Sequence, residues 1–366
     1  MCSRSLILAL LFIAIAPVIS KGQDTKMVYK KWHKDVREYT PDFFNTPEAE
    51  RIANNLMLYQ QTTGGWPKNI YFPTQLTEED KVKILSSKND VNESTIDNSA
   101  TTTEIKYMAN MYNATKKSDY EKSVIAGINY LLEAQYDNGG WPQFYPRSTG
   151  YYTQITFNDN AMVNVMRQLR EIYENKAPFK FVPESLKEKA KIAFDKGIEC
   201  ILNCQVKQNG KLTAWCAQHD KVTLEPCKAR AYELPSLSGA ESADIVLLLM
   251  SLPNPSEGVK TSIESAVKWF CEVKIDGLQR ESFINADGKK DYKMVKSDLS
   301  PSLWARFYEL GTNRPFFSDR DGIVKYDISQ IGYERRNGYS WYNNSGNKVL
   351  SEYERWKKNI ESPKLK

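Results

Sequence analysis

Residues 135–142 read QYDNGGWP, and residues 61–67 read QTTGGWP, about seventy-five positions earlier. A third, degenerate copy begins at Gln205 and reaches Trp215. The interval is long enough for two helices and their loops, so each unit is predicted to be a helical hairpin that ends in a Gly-Trp loop. Hairpins packed side by side bury one another's apolar faces, and three or more can close into a toroid. We therefore predict a mainly α fold with its loops, and its functional site, at one end of the ring.

The spacing of apolar residues supports this prediction. The predicted helices cover residues 47–61, 101–112, 123–135, 160–173, 183–203, 239–252 and 259–273. Residues 74–94 are charged and have no strong period, which indicates a surface excursion. From residue 274 onwards, short alternating runs bounded by Asp-Gly predict a few short strands. Residues 306–342 are rich in aromatic residues, Gly and Asp, and we expect a loop-rich C-terminal region that packs against the ring.

The N-terminus differs from the rest of the chain. Arg4 precedes an unbroken apolar run over residues 6–16, which is too short to span a bilayer. This pattern predicts a secretory signal peptide over residues 1–20 and a secreted or periplasmic protein, with an uncleaved membrane anchor as the alternative. Residues 21–44 are polar and Lys-rich, and are expected to form a linker or first surface segment. Residues 358–366 are expected to be a C-terminal tail.

The net charge of the chain excludes few classes of function, but it favours an acidic partner. The chain has 366 residues, with 50 Lys and Arg against 45 Asp and Glu, and a net charge of +5. The basic residues are spread out, so we expect no nucleic-acid partner. A modest positive excess suits a polyanionic substrate met outside the cell. We expect a monomer with no membrane partner once the signal is removed.

Five cysteines lie beyond the predicted signal, namely Cys200, Cys204, Cys216, Cys227 and Cys271. An odd number leaves at least one unpaired, and a disulfide between Cys216 and Cys227 is one option in an oxidising compartment. A zinc site is disfavoured, because the chain has no CxxC pair and only two histidines, His33 and His219.

Two Asp-Asn pairs precede predicted helices. Asp97-Asn98 lies before the helix predicted from residue 101, and Asp159-Asn160 lies at the start of the next but one. Either pair alone suits helix capping, since Asp and Asn accept hydrogen bonds from free N–H groups there. Two pairs at corresponding ends of successive hairpins also suit a shared hard cation such as Ca²⁺, which takes carboxylate, amide and water oxygens.

A cationic loop and two tryptophan loops complete the candidate site. Residues 224–242, LEPCKARAYELPSLSGAES, place Lys228 and Arg230 beside a turn, either as ordinary surface charges or as ligands for an anion. Trp66 and Trp141 are either core residues or platforms for sugar rings. Lys68, after the first Gly-Trp loop, is placed to bind hydroxyl or carboxylate groups, as is Gln143 after the second.

Several longer motifs resemble one known family. They are TTGGWPKN (62–69), TIDNSATTTEI (95–105), NGGWPQFYP (138–146), FNDNAM (157–162), TAWCAQHD (213–220), ARAYELPSLSGAES (229–242), GTNRPFFSDRDG (311–322) and ERRNGYSWY (334–342). Together they resemble polysaccharide lyase family 10, the pectate lyases, and the resemblance predicts a catalytic domain over residues 45–357. It implies an (α/α)₃ toroid with a cleft, and Ca²⁺-dependent β-elimination in polygalacturonate.

The resemblance also implies residue roles. Arg230 corresponds to the arginine that removes the proton at C5, and Asp97 and Asp159 to the calcium-binding aspartates, with Asn98 as a weaker candidate. The resemblance further implies a substrate-binding arginine in the C-terminal region, either Arg314 or Arg320. The other substrate-binding candidates, Trp66, Lys68, Trp141 and Lys228, are inferred from their positions in the loops and not from the resemblance. Because arginine is normally always protonated, we expect an alkaline optimum and a calcium requirement.

Two alternatives remain open on the sequence alone. A helical-barrel glycoside hydrolase would need two carboxylates that flank the scissile bond, and Asp97, Asp159 and Asp220 could supply them. A non-catalytic pectin-binding protein would keep the cleft and lack the reaction. Elimination gives an ultraviolet-absorbing unsaturated uronide, whereas hydrolysis and simple binding do not.

Overall fold

The computed structural model of the protein describes residues 25–361, so the predicted signal peptide lies outside the described residues. The helices are α1 Thr25–Glu38, α2 Pro47–Tyr59, α3 Glu78–Ser86, α4 Thr102–Thr115, α5 Ser118–Glu133, α6 Ala161–Tyr173, α7 Glu184–Cys204, α8 Gly239–Met250, α9 Glu257–Glu272, α10 Tyr333–Gly338 and α11 Ser345–Glu361. The strands are β1 Ile155–Thr156, β2 Lys207–Gln208, β3 Lys211–Leu212, β4 Gln218–His219, β5 Leu237–Ser238, β6 Leu278–Ile284, β7 Lys290–Lys296, β8 Trp304–Ala305, β9 Phe307–Tyr308, β10 Pro315–Ser318, β11 Val324–Lys325 and β12 Tyr342–Asn343. Within this range, no helix has the length and apolarity needed to cross a membrane.

The helices pack as successive antiparallel hairpins. The pairs α4–α5, α6–α7 and α8–α9 each form a hairpin, and neighbouring hairpins contact one another through α4–α6–α8 and through α5–α7–α9. Helix α2 packs against α4, and α11 packs against both α8 and α9. One continuous apolar core fills the space between these helices. The predicted mainly α toroid of helical hairpins is confirmed.

The Gly-Trp loops are fixed by a repeated hydrogen bond. The indole N–H of each tryptophan donates to a carbonyl near the end of the preceding helix: Trp66 to Leu56, Trp141 to Leu131 and Trp215 to Ile201, at 2.7–2.8 Å. All three tryptophans are fully buried. A buried indole N–H needs such a partner, so the tryptophan directs each loop back onto its own hairpin.

A glutamine at the end of each of these helices joins the hairpin to its neighbour. Its amide donates to its own loop and to a carbonyl of the next outer helix: Gln60 to Gly64 and Ser123, Gln135 to Gly139 and Ala193, and Gln205 to Thr213 and Ser262. The first copy of the repeat therefore begins at Gln60, one residue earlier than the sequence comparison indicated.

Both ends of the chain are more helical than predicted. Residues 25–38 of the expected linker form α1, on which Trp32 is only 3% exposed because it packs against the ring core. Residues 358–361 of the expected tail continue α11. The charged stretch 74–94 contains α3, which begins at a capping box formed by Thr77 and Asp80.

The C-terminal region carries short antiparallel strands, as predicted. The strands β11-β10-β9-β5 form one sheet, and β6-β7 and β12-β8 form two-stranded ribbons. A second, smaller core lies beneath them, built from Tyr292, Phe307, Phe316, Phe317, Ile328, Ile331 and Trp341. Because β5 directly follows the loop that carries Arg230, its pairing with β9 brings the C-terminal region to that loop.

Candidate active site

The two Asp-Asn segments have unusual backbone conformations. Asn98, Asp159 and Asn160 have φ of +53°, +49° and +61°, in the left-handed region that Asn and Asp tolerate better than other side chains. The caps of the helices that follow are Thr101 for α4 and Asn160 for α6, and neither forms a side-chain capping bond. The structure therefore does not support the capping interpretation, and the two aspartates are available for another role.

Asp97, Asp159 and Arg230 line one cleft of about 380 Å³ at the loop-bearing end of the ring. Lys68 and Gln143 also line it, each two residues after a buried tryptophan, as does Asn98 in the short turn before α4. The convergence follows from the repeat, because the loops of successive hairpins emerge at the same end.

The carboxylates are only partly satisfied within the protein. Lys68 Nζ donates to Asp97 Oδ2, whereas Asp97 Oδ1 is buried and has no hydrogen-bond partner among the described residues. The Oδ2 atom of Asp159 accepts from the Asn158 amide at 2.7 Å. Burial raises the pKa of Asp159, Glu241 and Asp97 raise it further, and Arg306 opposes them. Clustered carboxylates with an unpartnered oxygen are a suitable environment for a cation.

These residues alone form an incomplete metal site. No group of three or more His, Cys, Asp or Glu side chains within residues 25–361 is arranged to hold a metal ion. Calcium takes six to eight oxygen ligands, so Asp97 and Asp159 fit a site that water or a ligand carboxylate must complete.

Arg230 is held by an acid of its own loop. Its Nε donates to Glu233 Oε2 at 2.7 Å and its Nη2 to Glu233 Oε1 at 2.5 Å. The Tyr339 hydroxyl donates to Glu233 Oε1 at 2.6 Å. Burial lowers the pKa of Arg230, but the contact with Glu233 outweighs it, and the net pKa is raised. In this state the guanidinium is positioned and firmly protonated.

Two further arginines line the cleft, and each stacks on an aromatic ring. The guanidinium carbon of Arg306 lies 4.2 Å from the Tyr339 ring centre, and that of Arg335 lies 4.0 Å from the Tyr232 ring centre. Both side chains are at least 90% buried, and the Nε atom of each lacks a hydrogen-bond partner among the described residues. Buried arginines with free donors suit the recognition of a ligand carboxylate.

The structure does not bring every predicted ligand residue to the cleft. Trp66 and Trp141 are 0% exposed, so their rings have no surface on which a sugar could stack. Lys228 is exposed but does not line the cleft. The core interpretation of the two tryptophans is therefore the one that the structure supports.

Neither C-terminal candidate arginine lines the cleft. The guanidinium carbon of Arg314 lies 3.5 Å from the Tyr326 ring centre, outside the cleft. Arg320 is closer, because its Nε lies 3.3 Å from Oε2 of Glu334, which does line the cleft. Sequence reasoning missed Glu233, Arg306 and Arg335, although all three lie in stretches that it had singled out.

The cysteines have no covalent role in this structure. All five described cysteines are free, including Cys216 and Cys227, so the suggested disulfide is absent. His219 is buried, and its Nε2 accepts from the Cys216 backbone N–H. Burial lowers the pKa of His219 to about 4. The histidine is a neutral structural group outside the cleft.

The comparisons with known proteins agree with this geometry. The family model for pectic acid lyase matches residues 60–350. The chain belongs to the pectic acid lyase family. Among solved structures, family 10 polysaccharide lyase from Cellvibrio cellulosa is 34% identical, with a TM-score of 0.72, over 90% of this chain and 96% of that one. An aspartate-to-alanine variant of the same lyase, in complex with trigalacturonic acid, matches with equal identity and TM-score over 89% and 96%.

None of the curated proteins compared with the chain matches it significantly. The family match covers the Gly-Trp loops, both Asp-Asn segments and the Arg230 loop, so every residue that lines the cleft except Lys30 lies within the matched range. The chain is therefore a polysaccharide lyase of family 10.

Proposed function

We propose that the protein cleaves polygalacturonate by β-elimination, with Arg230 as the base that removes the hydrogen at C5. The observation that carries this proposal is the convergence of Arg230, Asp97 and Asp159 on one cleft. The trigalacturonic acid bound by the related Cellvibrio cellulosa lyase supports the choice of substrate. Because the neighbouring cations repel other positive groups and attract carboxylates, the cleft suits an acidic sugar chain.

Asp97 and Asp159 would hold a calcium ion, helped by the side-chain oxygen of Asn98. The unpartnered Oδ1 of Asp97 is the protein atom that fits this role best. A bound calcium would neutralise the uronate carboxylate and so make the hydrogen at C5 more acidic. Lys68 has to leave Asp97 Oδ2 before that oxygen can become a ligand.

The reaction breaks two bonds and forms a double bond. Arg230 takes the C5 hydrogen as a proton, the electron pair of the C5–H bond forms a C4–C5 double bond, and the bond from C4 to the glycosidic oxygen breaks. The leaving oxygen takes a proton from solvent. A protonated guanidinium cannot act as a base, so the neutral form must be reached after substrate binds. Burial of Arg230 favours that form, whereas Glu233 disfavours it.

Uronate carboxylates would bind the buried guanidiniums of Arg306 and Arg335, together with Lys68. Arg306 and Arg335 replace Lys228 and Arg314 as the proposed substrate-binding cations, because they line the cleft and each has an unpartnered Nε. Arg320 stays a candidate through its contact with Glu334 at the cleft edge.

The test is the ultraviolet absorbance of the unsaturated product, measured on polygalacturonate with and without a calcium chelator. We expect absorbance to rise only with calcium present. Arg230→Ala should lower kcat at least a thousandfold while binding survives, and the matched control Arg314→Ala, at an exposed arginine outside the cleft, should retain the rate. An Arg230→Ala enzyme with near-normal kcat would refute the assignment of the base.

The same assay separates the alternatives. A hydrolase would shorten the polymer without absorbance, and a binding protein would leave its length unchanged. Asp220, one of the carboxylates considered for hydrolysis, caps a turn through the Val222 and Thr223 N–H groups and does not line the cleft. The predicted signal peptide supports a secreted or periplasmic enzyme, which secretion of the full-length chain from a bacterial host would test.

A further inference from the structure

The active-site cleft adjoins a second, larger cavity. A cavity of about 920 Å³ lies against the β6–β7 ribbon, and it shares Lys30, Glu334, Tyr339 and residues 338 and 340 with the cleft. The shared residues place the two cavities side by side, with Tyr339 and Glu334 at their common edge. We call this second cavity the hairpin arm.

The hairpin arm carries positive charge that the protein leaves uncompensated. Within the described part of the chain, neither Lys30 nor Arg280 has an acidic partner, and both line the arm. The acid on its wall, Glu334, is already paired with Arg320 and Arg335. A cavity with free cations and a neutralised acid is suited to a polyanion.

Arg280 is positioned rather than loose. Its guanidinium carbon lies 3.9 Å from the centre of the Tyr292 ring, and Tyr292 belongs to the second apolar core. Stacking occupies the face of the guanidinium and leaves its in-plane N–H groups for a carboxylate. The arm is also lined by neutral hydrogen-bonding side chains, among them Gln279, Ser300 and Asn344, which suit sugar hydroxyls.

The ribbon that carries Arg280 is itself fixed to the catalytic end. Asp291 on β7 is 2% exposed and accepts from Arg336 at 2.9 and 2.6 Å and from Asn337 at 2.8 Å. Both partners belong to α10, which also carries Glu334 and Arg335 of the cleft. A two-stranded ribbon is marginally stable alone, so these contacts hold it in register with the active site.

We infer that the hairpin arm binds further uronate units of the same polymer, beyond those held at Arg230, with Arg280 and Lys30 as their carboxylate partners. This inference rests on the proposed polygalacturonate lyase activity. It makes Arg280 a determinant of the preferred chain length: short oligomers fill the cleft alone, and long chains gain the contacts of the arm.

The experiment compares kcat/KM on trigalacturonate and on long polygalacturonate for the full chain and two variants. Arg280→Gln removes the charge but keeps a stem over Tyr292. The matched control is Lys293→Gln, on the same ribbon, where an exposed lysine pairs with Glu281 and lines neither cavity. We expect Arg280→Gln to lower the polymer-to-trimer ratio of kcat/KM about three- to tenfold, as loss of a charge-assisted contact at a partly hydrated site should. Lys293→Gln should leave the ratio as it is.

An unchanged ratio in Arg280→Gln, with an unchanged thermal midpoint, overturns the inference while the lyase assignment stands. An equal fall in both variants also overturns it, because the effect would then be general to the ribbon's charge. If the unmodified chain forms no unsaturated product from either substrate, the proposed function fails. Binding of tri- and hexagalacturonate, measured by calorimetry, then tests the hairpin arm separately. Tighter binding of the hexamer that is lost in Arg280→Gln supports uronate binding by the arm. Equal affinity for the two oligomers refutes it.

Discussion

The ion pair between Arg230 and Glu233 predicts that removing an acid makes this lyase faster at moderate pH. Glu233→Gln keeps an oxygen that can accept from Arg230 but removes the negative charge that raises the pKa of the guanidinium. A hydrogen bond to a charged group contributes about 1.5–3 kcal/mol. Because the Arg230 side chain is 44% exposed, we discount this to about 1.4 kcal/mol, or about one pKa unit.

A fall of about one unit in the pKa raises the neutral fraction of Arg230 about tenfold at any pH below it. The weaker base removes the C5 hydrogen more slowly, which offsets part of this gain. The expected net result is a kcat about three- to tenfold higher at the pH values where activity rises with pH. This rising part of the pH profile, the limb, should as a whole be displaced to lower pH. The measurement is kcat against pH with saturating polygalacturonate and calcium, since kcat reports ionisation in the bound complex.

Tyr339→Phe is the control for this prediction. It removes the hydroxyl that donates to Glu233 Oε1 and leaves the opposite charges of Glu233 and Arg230 in place. Its limb should stay where it is or move to higher pH, because Glu233 loses a competing donor. A Glu233→Gln enzyme with a lower kcat and an unshifted limb would show that Glu233 only orients Arg230. A limb displaced to higher pH would refute Arg230 as the titrating base.

Three other predictions follow from the cleft and its supports. Asp97→Asn should raise the calcium concentration for half-maximal activity at least tenfold, measured by titrating metal into the chelated enzyme, because one charged ligand is lost. Lys68→Met should lower the calcium concentration for half-maximal activity, since no ammonium then competes with calcium for Asp97, and should raise KM for polygalacturonate. If both quantities changed in the same direction, Lys68 would not exchange Asp97 for a substrate carboxylate. Trp141→Phe should lower the free energy of unfolding by about 2–4 kcal/mol in a denaturant titration, because Leu131 loses its donor and the core loses volume, without altering KM. A raised KM with normal stability would instead favour sugar stacking.

Much of the ring could be predicted because local sequence patterns determine its helices and loops. Apolar spacing marks the helices of the hairpins, and the Gly-Trp loops mark where they end. Helix α1 was not predicted because Trp32, the residue that it buries against the ring, lies in a Lys-rich stretch. Helix α11 was not predicted because it buries few residues besides Val349 and Trp356. Both helices have their few apolar residues on one face, but the many charged residues between them make each stretch resemble a polar surface segment.

Some residues of the site could likewise be predicted from local sequence, and others could not. Asp97, Asp159 and Arg230 follow recognisable local signals, so their convergence could be predicted from the repeat. The role of Arg306 could not, because it depends on the pairing of β5 with β9, which joins Ser238 to Phe307 across about seventy residues. No local pattern in the sequence encodes that contact. The same long-range return of the chain places Arg335 and Tyr339 opposite the Arg230 loop.

Three cations of the cleft are paired with its own acids, and this arrangement couples metal to substrate. Lys68 lies on Asp97, Arg230 on Glu233 and Arg335 on Glu334. A calcium ion that takes Asp97 releases the ammonium of Lys68, which loses its acidic partner and then favours a uronate carboxylate. A uronate that attracts Lys68 frees Asp97 for the metal in the same way. Since each ligand removes a cost that the other would otherwise meet, linkage requires that calcium and polygalacturonate bind cooperatively. Lys68→Met should abolish this cooperativity, because the shared competitor is gone.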